Sequence, residues 1–365
     1  MAASPSRRRT LLACVASLAL VASACGSDDD TAGADAGTDT ENTGAESGDT
    51  ENADTATAGT ATADTEMTES TDDATTDTET PDTETVGTEA GSDGGEMVDS
   101  ITIGAIPDQD PELIARNYGL LADYLADEIG IDVDFQPVTE YPAAVSGFRV
   151  GDLDLVWFGG LTGVQARLQV EGADAIAQRD IDAEFTSVFI AGTDTDLTPI
   201  DDVEGLSELA DHTFTFGSES STSGRLMPQS FMEQAGVGLD DLDGEPGFSG
   251  AHDKTIALVE SGTYEAGALN SQVWYSAVED GSVDLDAVQL IFETPTYYDY
   301  HWVARPELGD ELEGRIVDAL AALDPSVPDE AEILDFFGAE TFIPTENGNY
   351  ADIEAVGRAS GLIEE

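Results

Sequence analysis

Residues 213–228 read T-F-T-F-G-S-E-S-S-T-S-G-R-L-M-P, and the fold is decided there. Phe214 and Phe216 alternate on one face of a strand. A small-residue loop follows, and Ser221-Thr222-Ser223-Gly224 open a helix carrying Leu226, Met227, Phe231 and Met232. A strand that runs through such a loop into a helix is the repeating unit of α/β architecture. The first turn of the helix has N–H groups without intrahelical partners and the positive end of the macrodipole, and three consecutive hydroxyls add donors. A tetrahedral oxyanion can be seated there. The same residues would also serve merely as a helix cap, and the stretch alone leaves both readings open.

Upstream, the apolar run Ile101–Ile106 is an expected strand, followed by Pro107-Asp108-Gln109-Asp110-Pro111. Asp110 stands at the N-cap position with Pro111 at the first helical position, and Ile114, Leu121, Leu125 and Ile129 form one helix face that stops before Gly130. Asp108 and Asp110 are a carboxylate pair without further ligands nearby in the sequence, so neither a metal nor a cofactor is expected. Ile131, Val133 and Phe135 alternate as a second strand, a helix begins at Thr139-Glu140-Tyr141, and Leu153, Leu155 and Trp157 lead a third strand into Phe158-Gly159-Gly160. In a parallel sheet such strand ends gather along one edge, so Tyr141, Phe158 and Gly159 should face a common crevice, though isolated aromatics more often belong to a core. Strands near 175–178 and 188–191 are expected to complete a first unit, with a crossing at 192–196.

Downstream of the seat, Phe248-Ser249-Gly250-Ala251-His252-Asp253-Lys254 leads into a helix, and residues 266–270 form a small-residue strand ending at Asn270. Val288, Leu290 and Phe292 form another strand before Thr294-Pro295-Thr296-Tyr297-Tyr298, the expected crossing back. A helix with Leu312, Ile316, Leu320 and Leu323 would rejoin the first unit. Two α/β lobes joined by two crossings make a hinged cleft, where ligands usually sit.

The first hundred residues differ in kind. Arg7-Arg8-Arg9 and the apolar stretch 11–21 form an export signal too short to anchor as a spanning helix, with the twin-arginine route an alternative to the general one. Ala22-Ser23-Ala24-Cys25 resembles a bacterial lipobox, which makes Cys25 the expected lipidation site; the same residues also satisfy an ordinary A-x-A cleavage site. Residues 26–99 lack Lys, Arg and aromatic side chains and read as a disordered acidic tether, reaching roughly 50 Å as a flexible coil. Of 77 acidic residues, 54 fall beyond residue 99, against nine basic ones, and Lys254 is the sole lysine. So acidic a surface repels nucleic acid and anionic lipid.

Taken together, A-I-P-D-Q-D-P, T-E-Y-P-A-A-V, L-D-L-V-W-F-G-G, F-G-S-E-S-S-T-S-G-R-L-M-P, F-S-G-A-H-D-K-T and the Thr294-Pro295 crossing resemble the phosphate/phosphite/phosphonate-binding proteins of bacterial ABC importers, nearest the branch labelled selenate-binding. The resemblance covers nearly all of residues 101–350. It implies a two-lobed type II periplasmic-binding-protein (Venus-flytrap) fold: leader 1–25, tether 26–99, lobe 1 at 100–193 plus 295–365, and lobe 2 at 194–294. It implies a monomeric lipoprotein on the outer face of the cell membrane that captures a small oxyanion for an ABC permease, without catalysis. The residues carried over for the ligand are Tyr141, Ser221, Thr222, Ser223 and His252, and Phe158, Gly159, Asn270 and Tyr298 complete the expected ligand site. Phe158 departs from the family pattern by lacking a hydroxyl. Gln272 stands where a carboxylate would meet an aminoalkyl group, and Asp299 aligns loosely with a second one. A sensory binding lipoprotein and a serine hydrolase using His252 are the rival functions; no G-x-S-x-G elbow supports the hydrolase.

Overall fold

A computed structural model describes residues 98–364; the expectations for the leader, Cys25 and nearly all of the tether lie outside them. The chain first builds β1 (Ser100–Ala105), α1 (Pro111–Ile129), β2 (Asp132–Phe135), α2 (Tyr141–Val150), β3 (Leu155–Phe158), α3 (Gly160–Gln169) and β4 (Asp174–Arg179). The local rules hold closely at α1. Asp110 Oδ1 accepts from the N–H groups of Glu112 and Leu113 at 2.9 and 3.1 Å. Ile114, Leu121, Leu125 and Ile129 are buried, and Gly130 ends the helix at φ 66°, a left-handed conformation that favours glycine. Removing such a cap costs about 1 kcal/mol, whereas each fully buried Leu contributes roughly 2 kcal/mol, so packing rather than capping holds α1 in place.

From β4 the chain enters a second set: β5 (Ser187–Gly192), β6 (Phe214–Phe216), α4 (Met227–Gln234), β7 (Gly247–Phe248), α5 (His252–Glu260), β8 (Ala266–Asn270), α6 (Ser271–Asp280) and β9 (Val288–Glu293). It returns through β10 (His301–Ala304), α7 (Gly309–Ala321), α8 (Pro328–Phe337), β11 (Phe342–Pro344) and α9 (Ala351–Ala359). The strands form two sheets, ordered β11-β4-β10-β3-β1-β2 and β7-β6-β8-β5-β9. The fold is thus α/β with two lobes and two crossings, as expected. The sheets are mixed: β10 runs antiparallel to β3 and β4, and β5 antiparallel to β8 and β9.

One boundary needs correction. The strand at 188–191 was expected to close the first lobe, but β5 hydrogen-bonds between β8 and β9 in the second. The first crossing is therefore residues 180–186, not 192–196. All six residues of β5 are buried, so its apolar run marks a central strand without saying which sheet owns it. The return crossing, residues 294–300, falls where expected. The two crossings are stitched together by reciprocal Phe185–Tyr297 backbone bonds of 2.9 Å and by the Asp299 N–H donating to the Asp182 carbonyl at 3.1 Å.

A buried ion pair fixes the first crossing. Arg179 Nε and Nη2 donate to Asp182 Oδ2 and Oδ1 at 2.8 and 2.6 Å, and Nη1 donates to the Phe337 carbonyl at 2.6 Å. The guanidinium lies 4.9 Å from the centre of the Tyr300 ring. Burial alone penalises both charges, and the bidentate geometry with its added carbonyl compensates.

Candidate functional site

The seat is assembled from four segments that sequence separates widely. Phe216 ends β6, Gly217 follows, and residues 222–226 form a wide helical turn that leads into α4. Ser221 caps this turn, its Oγ accepting from the Gly224 N–H at 2.9 Å, so the capping reading is correct as far as it goes. Thr222 Oγ1 reaches across the cleft and accepts from the Leu161 N–H, at the start of α3, at 2.9 Å. Gly160 N–H donates to Asp299 Oδ1 at 2.9 Å. Gly159 allows this approach: a methyl group on its Cα would stand 3.1 Å from Thr222 Oγ1 and 3.3 Å from Asp299 Oδ1.

Arg225 Nε and Nη1, in the turn itself, lack a hydrogen-bond partner from the protein, and so do Tyr141 Oη, Ser223 Oγ and Asp299 Oδ2 around it. The residues of the last three are 2 %, 1 % and 0 % exposed, so bulk water does not serve them. A buried polar atom left unpaired costs about 1–3 kcal/mol. Burial and the neighbouring Asp108 carboxyl raise the Tyr141 pKa well above its usual range, so this hydroxyl keeps its proton. Burial also pushes Asp299 up to about 7, against the lowering effect of the Gly160 N–H. Near neutral pH Oδ2 can therefore carry a proton and donate it to an acceptor. Two hydroxyls and one carboxylic acid are left open here, with the buried Arg225 guanidinium in the same turn. Such a set suits an oxyanion.

His252 sits at the start of α5 and is fully buried, but neither ring nitrogen is free. Nδ1 accepts from the Asn270 N–H at 3.3 Å, and Nε2 lies 3.2 Å from Tyr300 Oη. Its Cε1 packs against Gly224 of the seat. The Asn270 side chain caps α6 by accepting from the Val273 N–H at 3.1 Å and donates to Tyr300 Oη at 3.1 Å. These two residues are therefore beside the seat with their polar atoms engaged elsewhere. No serine hydroxyl of the seat bonds His252 among the described residues, so the pairing a hydrolase needs is not made.

Two further expectations are corrected. The Phe158 ring packs edge-on against Phe148 at 5.8 Å in the lobe core, and only its backbone serves the site, by delivering Gly159 and Gly160. The Tyr298 ring packs edge-on against Tyr350 at 5.8 Å. Asp299, named above only as a loose match, is central, and Tyr300 and Asp108 were missed as a pair. The run Y-Y-D-Y-H at 297–301, after the crossing proline, is the one sequence signal that would have flagged them. Asp110 is spent as a cap and Asp108 accepts from Tyr300 Oη at 3.0 Å.

A groove of about 530 Å³ above the seat draws its walls from both lobes, with Pro107, Tyr141 and Pro142 facing Ser218, Phe248 and Lys254. A larger cavity of about 620 Å³ lies elsewhere, floored by the first crossing and ringed by Asp180, Glu184, Glu279, Asp335 and Glu340. Its carboxylates make it unsuited to an anion.

Comparison with known proteins bears on this geometry. Residues 103–350 match the family described as "ABC transporter, phosphonate, periplasmic substrate-binding protein". A probable ABC transporter phosphite-binding protein, PhnD1 of Prochlorococcus marinus, is 46% identical over 263 residues, 71% of this chain and 89% of that protein. The crystal structure of PhnD1 in complex with methylphosphonate superposes with a TM-score of 0.70 at 44% identity, covering 73% of this chain and 99% of that one. The phosphate-import protein PhnD of Mycolicibacterium smegmatis is 24% identical over 225 residues, 59% of this chain and 68% of that protein.

Proposed function

Since this chain belongs to the family of periplasmic phosphonate substrate-binding proteins of ABC transporters, we propose that its seat takes phosphite or methylphosphonate, held by Tyr141, Ser221, Thr222, Ser223 and Asp299. The protein is an extracytoplasmic binding component, not an enzyme, and works with an ABC permease. The observation that carries the ligand assignment is the convergence of Tyr141 Oη, Ser223 Oγ and Asp299 Oδ2, buried and unpartnered, at the meeting of the lobes. A tetrahedral oxyanion with one small substituent supplies acceptors to all three. Gln272 lacks the charge an aminoalkyl group would want, which favours small substituents.

The carboxyl group adds a condition. A bound anion and an ionised Asp299 repel, so one proton must lie between them. Below about pH 7 Asp299 brings it; above, only the ligand can. A phosphonate or phosphite monoanion carries such a proton, whereas sulfate and selenate do not. Calorimetry of the mature chain at pH 6 and pH 8 tests this. Phosphite and methylphosphonate should bind one to one without turnover, and sulfate and selenate should lose affinity more steeply between the two pH values. Tighter binding of selenate at pH 8 would reassign the ligand.

The folded part is held near the membrane, on our reading, by a lipid on Cys25 and the acidic tether, and acts as a monomer. Cys25→Ser should release the protein from the membrane fraction into the exported soluble fraction. Equal membrane retention would refute lipidation.

A further inference from the structure

Four buried side chains beside the seat form a hydrogen-bonded chain that crosses the cleft. Asp108 belongs to the first lobe, Tyr300 ends the return crossing just before β10, and His252 and Asn270 belong to the second lobe. Proton bookkeeping leaves a single arrangement. The Asn270 backbone N–H donates to His252 Nδ1, so that nitrogen carries no proton. Burial holds the imidazole neutral, with its pKa lowered to about 3, and its one proton therefore sits on Nε2. From there it points at Tyr300 Oη, 3.2 Å away. Asn270 Nδ2 donates to the same oxygen at 3.1 Å, and Tyr300 Oη passes its own proton to Asp108 Oδ2 at 3.0 Å. The hydroxyl is then saturated, with two bonds accepted and one donated. A backbone bond runs parallel to these, the His252 N–H donating to the Asp108 carbonyl at 2.9 Å.

We propose that Asp108, Tyr300, His252 and Asn270 are an inter-lobe latch, and that Tyr300 and His252 are positioning residues that set the lifetime of the closed form rather than groups that hold the anion. Three observations favour this. Both His252 nitrogens are consumed within the chain, so the histidine has no polar atom left for a ligand. The Tyr300 ring is clamped, stacked on Trp157 at 5.7 Å with the Arg179 guanidinium 4.9 Å from its centre, which fixes where its hydroxyl points. The latch is also tied mechanically to the seat at two places: Tyr300 follows Asp299 directly in the return crossing, and His252 Cε1 rests on Gly224. An anion that draws Asp299 and the Ser221–Ser223 turn together thereby brings the two halves of the latch into register. The bonds that separation of the lobes would break are those from His252 and Asn270 to Tyr300 and from the His252 N–H to Asp108.

The latch rests on the ligand assignment above, and one experiment separates the two. Stopped-flow kinetics of the mature chain with methylphosphonate should show that Tyr300→Phe speeds dissociation at least about tenfold, the order expected for losing bonds of this kind. Association should change less than about twofold, and the unliganded protein should melt as the parent does. Asn270→Asp offers a second test, in which a carboxylate oxygen still caps α6 while the donor to Tyr300 is gone. It too should speed dissociation selectively. His252→Ala should then cost much less in the Tyr300→Phe background than in the parent. An undiminished His252→Ala effect in that background would mean the histidine holds the anion itself and would overturn the latch. Unchanged dissociation in both Tyr300→Phe and Asn270→Asp would overturn it as well, whereas a parent chain that binds neither methylphosphonate nor phosphite would overturn the ligand assignment beneath it.

Discussion

Two buried polar clusters meet at the crossings, and they are satisfied to different degrees. At the hinge, Arg179 and Asp182 use every atom that points at the other, and the third guanidinium nitrogen finds the Phe337 carbonyl. At the seat, one backbone hydrogen bond away through Asp299 and Asp182, Tyr141, Ser223 and Asp299 each keep an atom without a protein partner. Burial is equally deep in both. A cluster that exists to hold the fold completes its own bonds, because an incomplete one costs stability with no return. A cluster that exists to hold something else keeps atoms in reserve. The contrast supports the seat proposed above for the ligand, where cavity size alone favours the acidic cavity at 180–186.

If that distinction is right, substitutions in the two clusters should separate stability from affinity. The largest effect is expected at the hinge. Asp182→Ala leaves a buried guanidinium unpaired and should cost about 3–5 kcal/mol in denaturant unfolding. A variant that unfolds like the parent would mean the pair does not hold the crossing. At the seat, Ser223→Ala and Tyr141→Phe should each weaken oxyanion binding roughly ten- to hundredfold, since a hydrogen bond to a charged ligand contributes about 1.5–3 kcal/mol. The unliganded protein should be no less stable, because each substitution removes a buried polar atom that had no partner. Loss of stability in step with affinity would erase the distinction.

A third comparison concerns pH. Folded Asp299 keeps its proton up to about pH 7, whereas an ordinary aspartate releases it near 3.8, so the folded form binds this proton more tightly. Its contribution is therefore most favourable at low pH and is lost as pH rises from about 4 to about 7. Over that window the melting temperature of the unliganded parent should fall relative to Asp299→Asn, and the difference should level off above it. A difference that grows in the opposite direction would show an ionised Asp299 in the folded protein.

Much of this was legible in the chain wherever the deciding contacts are local. The α1 cap, its buried face and its glycine stop depend on residues three or four apart, and the hydroxyl turn at 221–223 announces itself by composition. The crossing was misplaced because β5 is buried along its whole length and its sheet is chosen by β8 and β9, some 80 to 100 residues downstream. His252 was expected to face the ligand because a lone histidine does not reveal which partners take its nitrogens. Those partners, Tyr300 and the Asn270 N–H, are set by tertiary packing. Asp299 meets Gly160 across 139 residues of sequence and could be placed only once both crossings were known.

The reciprocal bonds between Phe185 and Tyr297 mean that the second lobe enters and leaves the protein at a single point. Residues 185–297 are thus a continuous insertion with touching ends, the arrangement that lets a segment be transplanted between relatives without restringing the host. Such an exchange would carry Ser221, Thr222 and Ser223 with the cassette and leave Tyr141 and Asp299 behind. The two halves of the proposed seat are therefore separately heritable, and new specificities in this architecture can arise by recombination at one junction as well as by point substitution.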